Sequence, residues 1–299
     1  MKEKILVVGG TGFIGYHVLK NLSLKKYFLY SLSKNNPKSD RKVKNVKYIF
    51  CDIINKKDLK KRLSKNFDHI INLSGYIDHS KKKENNLYHY VGSKNLIDIF
   101  KLKEIQTFIQ IGSSLEYGDL KSPQEEKRKC NPKSWYGLSK LKASKYLEKI
   151  NKEYKIPYII LRPYQVYGPK QKLNRLIPQT IDSCLKNKSF KCTSADQKRD
   201  FIYIKDFVDL IKKILQLKKI RYEIFNVGSG KPIYVKDVIK KIKTITNSGN
   251  PELGSIKMRK DEIMNLYPSI KKVKKYFNWQ PKINLSDGLI KTIKSYDER

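Results

Sequence analysis

The stretch Ile5-Leu6-Val7-Val8-Gly9-Gly10-Thr11-Gly12-Phe13-Ile14-Gly15 decides the fold. Four apolar residues in a row, ending in glycine, read as a strand buried on both faces of a parallel sheet. Behind the glycines, Phe13, Ile14, Val18, Leu19 and Leu22 recur at helical spacing. Glycines at 9, 12 and 15 in a strand–turn–helix let the chain turn tightly, let backbone approach a pyrophosphate, and let the helix pack on the sheet. The helix N-terminus then offers free N–H groups and partial positive charge to phosphate. The stretch is read as a dinucleotide site formed by Gly9, Gly12, Phe13, Ile14 and Gly15.

Outward from that stretch, the chain keeps alternating. Strands are expected at Tyr27 to Ser33, Val46 to Phe50, His69 to Leu73, Thr107 to Ile111 and Tyr158 to Leu161. Helices are expected at Lys57 to Leu63, Leu87 to Phe100 and Tyr136 to Ile150. This alternation implies an α/β fold, a Rossmann doubly wound parallel sheet. After Gly168-Pro169 short apolar segments are broken by Pro178, Pro232, Pro251, Pro268 and Pro281. Residues 1–168 are read as the dinucleotide domain, with returning segments near 200–226. Residues 169–299 are read mostly as a smaller C-terminal substrate lobe.

At the end of the second strand an acidic residue would bind the ribose hydroxyls of NAD. The chain has Ser33 and Lys34 there, which suit a 2′-phosphate and point to NADP, with NAD the alternative. Tyr136 and Lys140 are four apart and share one helix face. An ammonium beside a phenol lowers the phenol pKa from about 10 toward neutrality and makes it a usable proton donor and acceptor. Ser113 and Ser114 follow the apolar strand Thr107–Ile111, at the sheet edge where ligands of open α/β folds sit.

The chain carries 65 Lys and Arg against 28 Asp and Glu, a net charge of +37. Only nine of the basic residues are arginine, and the lysines are spread along the whole chain. Phosphate and base readers favour the arginine fork. A solvated lysine surface is therefore expected rather than a nucleic-acid partner. The four cysteines show no C-x-x-C spacing, which leaves zinc and redox motifs without support and fits a reduced, cytoplasmic protein. No apolar run approaches the ~18 residues of a membrane span, and the histidines show no metal-ligand spacing. His79, after the fourth strand, is read as an ordinary loop residue.

Taken together, these motifs resemble the extended short-chain dehydrogenase/reductase family of nucleotide-sugar epimerases, dehydratases and reductases. The resemblance extends through Asn72-Leu73-Ser74-Gly75, Leu161-Arg162-Pro163, Val166-Tyr167-Gly168-Pro169, Arg199-Asp200-Phe201-Ile202-Tyr203, Phe225-Asn226-Val227-Gly228-Ser229-Gly230 and Asn278-Trp279-Gln280-Pro281. It implies a catalytic trio of Ser113, Tyr136 and Lys140, with Lys140 also holding the nicotinamide ribose. It places Asp52 and Ile53 near the adenine, and Leu73, Ser74, Gly75 and Pro163 along the cofactor. Ser114, Asn174, Arg175, Pro178, Arg199 and Arg259 would contact a nucleoside-diphosphate sugar. The helices at Leu87–Phe100 and Tyr136–Ile150 would form a homodimer.

Members that dehydrate carry an acid two positions before the tyrosine ending the serine loop. Here that position is Leu115, and Glu116 lies one step along, which on a strand would face the other way. Dehydration is disfavoured. The loop Ser113–Gly118 is similar to that of reductases of 4-keto-6-deoxy sugar nucleotides, such as 6-deoxy-talose and abequose synthases. An NADP-dependent 4-ketoreductase is the expectation. An NAD-dependent 4-epimerase is the first alternative, and an RNA-binding or redox-sensing non-enzymatic member the remote one.

Overall fold

The protein was analysed as a computed structural model that describes residues 2–297 apart from 23, 77, 79, 80 and 218–221. His79 lies outside the described residues. The chain divides into two compact units. The first comprises Met1–Leu120, Glu126–Pro163 and Val208–Asn226, and the second Lys121–Glu125, Tyr164–Phe207 and Val227–Arg299.

The first unit is built on a seven-stranded sheet. Its strands are β1 (Glu3–Val8), β2 (Tyr27–Ser33), β3 (Val46–Phe50), β4 (His69–Asn72), β5 (Thr107–Ile111), β6 (Tyr158–Pro163) and the strand Glu223–Val227. The spatial order is Glu223–Val227, β6, β5, β4, β1, β2, β3, and neighbouring pairs from β3 through to β6 run parallel. Strand order reverses between β1 and β4, the place where open α/β sheets bind ligands at the strands' carboxyl ends. This is the Rossmann arrangement read from the glycine stretch.

Burial on both faces explains the continuous apolar strands. Ile5, Leu6, Val7, Ile70 and Ile71 are fully buried. One face packs Leu6, Val8, Leu32, Ile70, Phe108 and Ile160 against helical residues including Leu59, Leu96, Phe100 and Leu147. Those residues come from α2 (Lys56–Arg62), α4 (Gly92–Phe100) and α5 (Trp135–Tyr154), and the unit also holds α1 (Phe13–Asn21) and α3 (Lys82–Asn85). The expected helix at Leu87–Phe100 is in fact composite, because a π-helical segment, Asn86–Val91, joins α3 to α4.

At the surface of this unit, Asp98 binds three groups. Lys56 Nζ, Lys94 Nζ and the Tyr146 hydroxyl reach its carboxylate at 2.9, 2.8 and 2.5 Å. Burial works against the ionised form, yet these donors hold the carboxyl at about 2.

In the second unit the strands are two or three residues long. Gln165–Tyr167 pairs with Phe201–Tyr203, and Lys198–Arg199 lies between Ile233–Tyr234 and Asn265–Leu266. The buried Asp200 carboxylate accepts the Ser229 and Gly230 N–H groups at 2.5 and 2.7 Å and ties the Gly228-Ser229-Gly230 turn to the link between Lys198–Arg199 and Phe201–Tyr203. Among the described residues no helix is long and apolar enough to cross a membrane, and no group of three or more His, Cys, Asp or Glu could hold a metal ion.

Candidate functional site

The glycine loop leaves β1 at its carboxyl end and enters α1 with Gly12 as N-cap, without any side-chain cap. The first-turn N–H groups of a helix have no partner within it, so Phe13 and Ile14 present theirs at the mouth of the loop. Gly12 N–H donates to the Gly9 carbonyl at 3.0 Å, closing the turn. A Cβ on Gly15 would be driven into that same carbonyl and into Gly10. The loop is thus tight and open to backbone approach, and the residues present fit a dinucleotide pyrophosphate.

At the ends of β2 and β3 the structure changes the meaning of two residues. Ser33 Oγ accepts the Thr11 N–H at 3.3 Å and so supports the glycine loop. Lys34 Nζ lies 2.9 Å from Asp52 Oδ2 and donates to the Tyr88 hydroxyl at 2.9 Å. These contacts raise the Lys34 pKa, the Tyr88 bond first and the Asp52 carboxylate next. The strand register explains the meeting. Ser33 pairs with Phe50, which brings the residues just past each end together although they lie far apart in sequence. The lysine charge that pointed to a 2′-phosphate is matched by a carboxylate. Ile53 is buried beside Asp52, and its carbonyl accepts from Asn95 Nδ2 at 2.9 Å.

The turn after β4 is fixed by Asn72, a residue the sequence reading quoted but gave no role. Its Nδ2 donates to Gln110 and Ser93 at 2.8 and 3.1 Å, and its Oδ1 accepts the Ser74 N–H and hydroxyl at 3.1 and 2.5 Å. Register Val8 to Asn72 sets Leu73, Ser74 and Gly75 beside the glycine loop.

Beyond β5 the chain does not continue as a strand. Residues Ser114–Glu116 form a 3-10 turn capped by Ser113. Ser113 Oγ accepts the Leu115 N–H at 3.1 Å, and Glu116 Oε1 accepts the Ser113 N–H at 2.8 Å. A serine hydroxyl that accepts a bond keeps its proton to donate. Glu116 is therefore turned away by a helical step, not by strand alternation as the sequence suggested. Its Oε2 takes Arg162 Nε and Nη2 at 3.0 and 2.9 Å and the Ser144 hydroxyl at 3.2 Å, wholly buried. Ser114 is buried in the same turn, and Pro163 follows Arg162 at the end of β6.

Tyr136 and Lys140 sit in the first two turns of α5, which Ser134 caps by accepting the Gly137 N–H at 3.1 Å. Lys140 is 4% exposed, and its Nζ donates to the Ile111 carbonyl at 2.9 Å. That bond ties α5 to the end of β5, two residues before Ser113. Burial pulls the Lys140 pKa down to about 8, with the Glu116 carboxylate opposing. The Tyr136 ring meets the buried His89 ring edge to face, centroids 4.8 Å apart.

The expected sugar-nucleotide residues other than Ser114 belong to the second unit. Arg199 and Arg259 come together there on one carboxylate. Arg199 Nη2 pairs with Glu262 Oε1, and Arg259 Nη2 reaches Glu262 Oε2 at 3.0 Å. Burial lowers the Arg199 pKa while Glu262 pushes it upward. Arg175 caps the helix Leu176–Leu185, which carries the buried Pro178, and Asn174 is exposed just before it. Glu262 was not anticipated, although Arg259-Lys260-Asp261-Glu262 shows the spacing for such a pair.

The chain is 29% identical to a putative UDP-glucose 4-epimerase of Methanocaldococcus jannaschii, over 97% of each chain. It is 27% identical to the CDP-abequose synthase of Salmonella muenchen, over 98% of each. Its fold matches the UDP-glucuronic acid 4-epimerase of Bacillus cereus, solved with UDP-glucuronic acid and NAD, at a TM-score of 0.89 and 27% identity over 99% of each chain. The model of the NAD dependent epimerase/dehydratase family matches residues 5–228. The chain belongs to the NAD dependent epimerase/dehydratase family.

Proposed function

We propose that the chain moves hydride reversibly at C4 of a nucleoside-diphosphate sugar, as a 4-epimerase that keeps NAD bound. The observation that carries the choice of cofactor is the Lys34–Asp52 pair at 2.9 Å. Asp52 neutralises Lys34, the cation that pointed to a 2′-phosphate, and its own charge opposes a further anion there. The likeness to UDP-sugar 4-epimerases supports the same reading.

The proposed chemistry follows from the first unit's side chains. NAD, which the Gly9–Gly15 loop would hold, would supply a reversible hydride acceptor when bound. Tyr136 takes the O4 proton as C4 gives up hydride, leaving a 4-keto sugar. Ser113 donates a hydrogen bond from its hydroxyl to O4, keeping its proton, and steadies the charge that builds there. Lys140, cationic below about pH 8, keeps the phenol acidic. Once the keto sugar presents its other face, Tyr136 would give the proton back to O4. Arg199 and Arg259 are the proposed contacts to the substrate diphosphate, and Asn174, Arg175 and Pro178 to the rest of the nucleotide sugar. Dehydration is not proposed, because Leu115 occupies the position for the acid and Glu116 is committed to Arg162.

A second reading is the NADP-dependent 4-ketoreductase. The likeness of Ser113–Gly118 to such reductases and of the whole chain to CDP-abequose synthase favours it. One experiment separates the two. Cofactor released from the purified protein is identified by mass spectrometry, and a panel of sugar nucleotides is followed by NMR. The epimerase reading expects retained NAD and interconverted C4 epimers without net cofactor consumption. Stoichiometric NADPH oxidation by a 4-keto-6-deoxy sugar nucleotide would replace it with the reductase. No turnover of any sugar nucleotide would overturn both.

A further inference from the structure

The helix that carries His89 is wound one residue too loosely at that point. Gly92 N–H bonds the Leu87 carbonyl, five residues back, within the π-helical segment Asn86–Val91. Such single π-turns cluster at functional sites, because the extra residue redirects one side chain. Here the segment packs on α5, and the His89 ring, 2% exposed, meets Tyr136 edge to face at 4.8 Å and 82°.

The same ring grips the turn after β4. His89 Nε2 is 3.1 Å from the Tyr76 amide nitrogen and 2.9 Å from the Tyr76 carbonyl oxygen. In one neutral tautomer it accepts the N–H, and in the other it donates to the carbonyl. A Cβ on Gly75 would run into the ring at Cε1 and Nδ1, so backbone lies directly on the imidazole. His89 therefore touches two parts of the candidate site at once: the proton-exchanging phenol, and the Ser74–Gly75 turn beside the glycine loop.

We propose that His89 is a positioning residue with two separable duties, its ring face and edge fixing the plane of Tyr136 and its nitrogen fixing the Gly75–Tyr76 turn that borders the cofactor. The first duty rests on the reading of Tyr136 as the proton-exchanging group. The second does not.

Two substitutions divide the duties. His89→Phe keeps an aromatic ring against Tyr136 but cannot bond the Tyr76 peptide. His89→Gln, whose amide reaches the place of Nε2, can bond that peptide but removes the ring. Each is measured for apparent NAD Kd by fluorescence titration, for kcat and KM with whichever sugar nucleotide the parent turns over, and for its unfolding midpoint. His89→Phe is expected to weaken NAD about fivefold, the worth of one buried hydrogen bond, with kcat near parental. His89→Gln is expected to keep NAD affinity and lose about tenfold in kcat at unchanged KM, as a misplaced catalytic group does. A general packing defect would instead lower the unfolding midpoint and move both readouts together. That outcome, or two variants indistinguishable from the parent, overturns the proposal. If His89→Phe fails to fold, His89→Tyr takes its place, and if His89→Gln fails to fold, His89→Glu takes its place. A parent that turns over no sugar nucleotide refutes the functional reading alone, and the NAD arm still decides the second duty.

Discussion

Arg162 closes on Glu116 with two of its nitrogens, Nε and Nη2 reaching a single carboxylate oxygen at 3.0 and 2.9 Å. The other oxygen accepts the Ser113 N–H, so the pair underpins the turn that carries the candidate catalytic hydroxyl. Both side chains are almost wholly buried. Arg162→Met would strand a carboxylate in the core. It is expected to lower unfolding free energy by about 3–5 kcal/mol, read from urea titration. Combining it with Glu116→Leu is expected to cost less than the sum of the single changes, since neither charge is then left alone.

Lys140 sets a pH dependence. Its pKa is depressed to about 8 from the 10.5 of an unfolded lysine. Between those values the unfolded chain binds more protons, so stability rises with pH across the window and falls as pH drops through 8. Activity should move the other way, declining above about pH 8 as the ammonium one helical turn from Tyr136 loses its charge. Lys140→Met should remove the high-pH gain in stability measured by denaturant titration and lower kcat by at least about a hundredfold.

Asp52→Asn releases Lys34 from its carboxylate. The ratio of NADP to NAD affinity should rise about fivefold, in keeping with the modest strength of an exposed pair. Titration of each cofactor into the variant and parent at low salt measures it, and the difference should shrink as salt screens the lysine.

Gly15→Ala tests the loop. Its methyl group meets the Gly9 carbonyl and the Gly10 backbone rather than a flexible side-chain end. Overpacking of this kind should cost about 1–3 kcal/mol. Because the strain falls on the turn itself, NAD affinity should fall as well, which the same titration reads.

How much of this was legible in the sequence depended on how local each signal was. The glycine stretch, Ser113 at the end of β5, and the Tyr136–Lys140 spacing each lie within a few residues of chain; the parallel sheet puts the first two at one edge, and the Lys140–Ile111 bond ties α5 to the end of β5. Glu116 was misread in its reason because the chain leaves the strand after Ile111 and coils into a 3-10 turn. The signal was present, since Ser113-x-x-Glu116 has capping-box spacing. The Lys34–Asp52 pair needed the register of β2 against β3, which sequence periodicity does not supply. His89 had no readable signal at all. A regular helix through Leu87–Phe100 would aim it elsewhere, and the π-turn that redirects it has no sequence signature. The second unit was hardest, because strands of two or three residues carry no period to read.

The sharing of Asp98 among Lys56, Lys94 and Tyr146 bears on how this sequence can drift. Acidic groups are outnumbered here by more than two to one, and a single one serves several donors. Either lysine can be exchanged while the other donors continue to satisfy the carboxylate. Loss of the acid leaves two ammonium groups facing each other and a phenol without its acceptor. Mutational tolerance should therefore be lopsided. Lysines come and go at little cost, while each remaining carboxylate grows harder to give up, a ratchet that lets a protein become steadily more basic without unravelling.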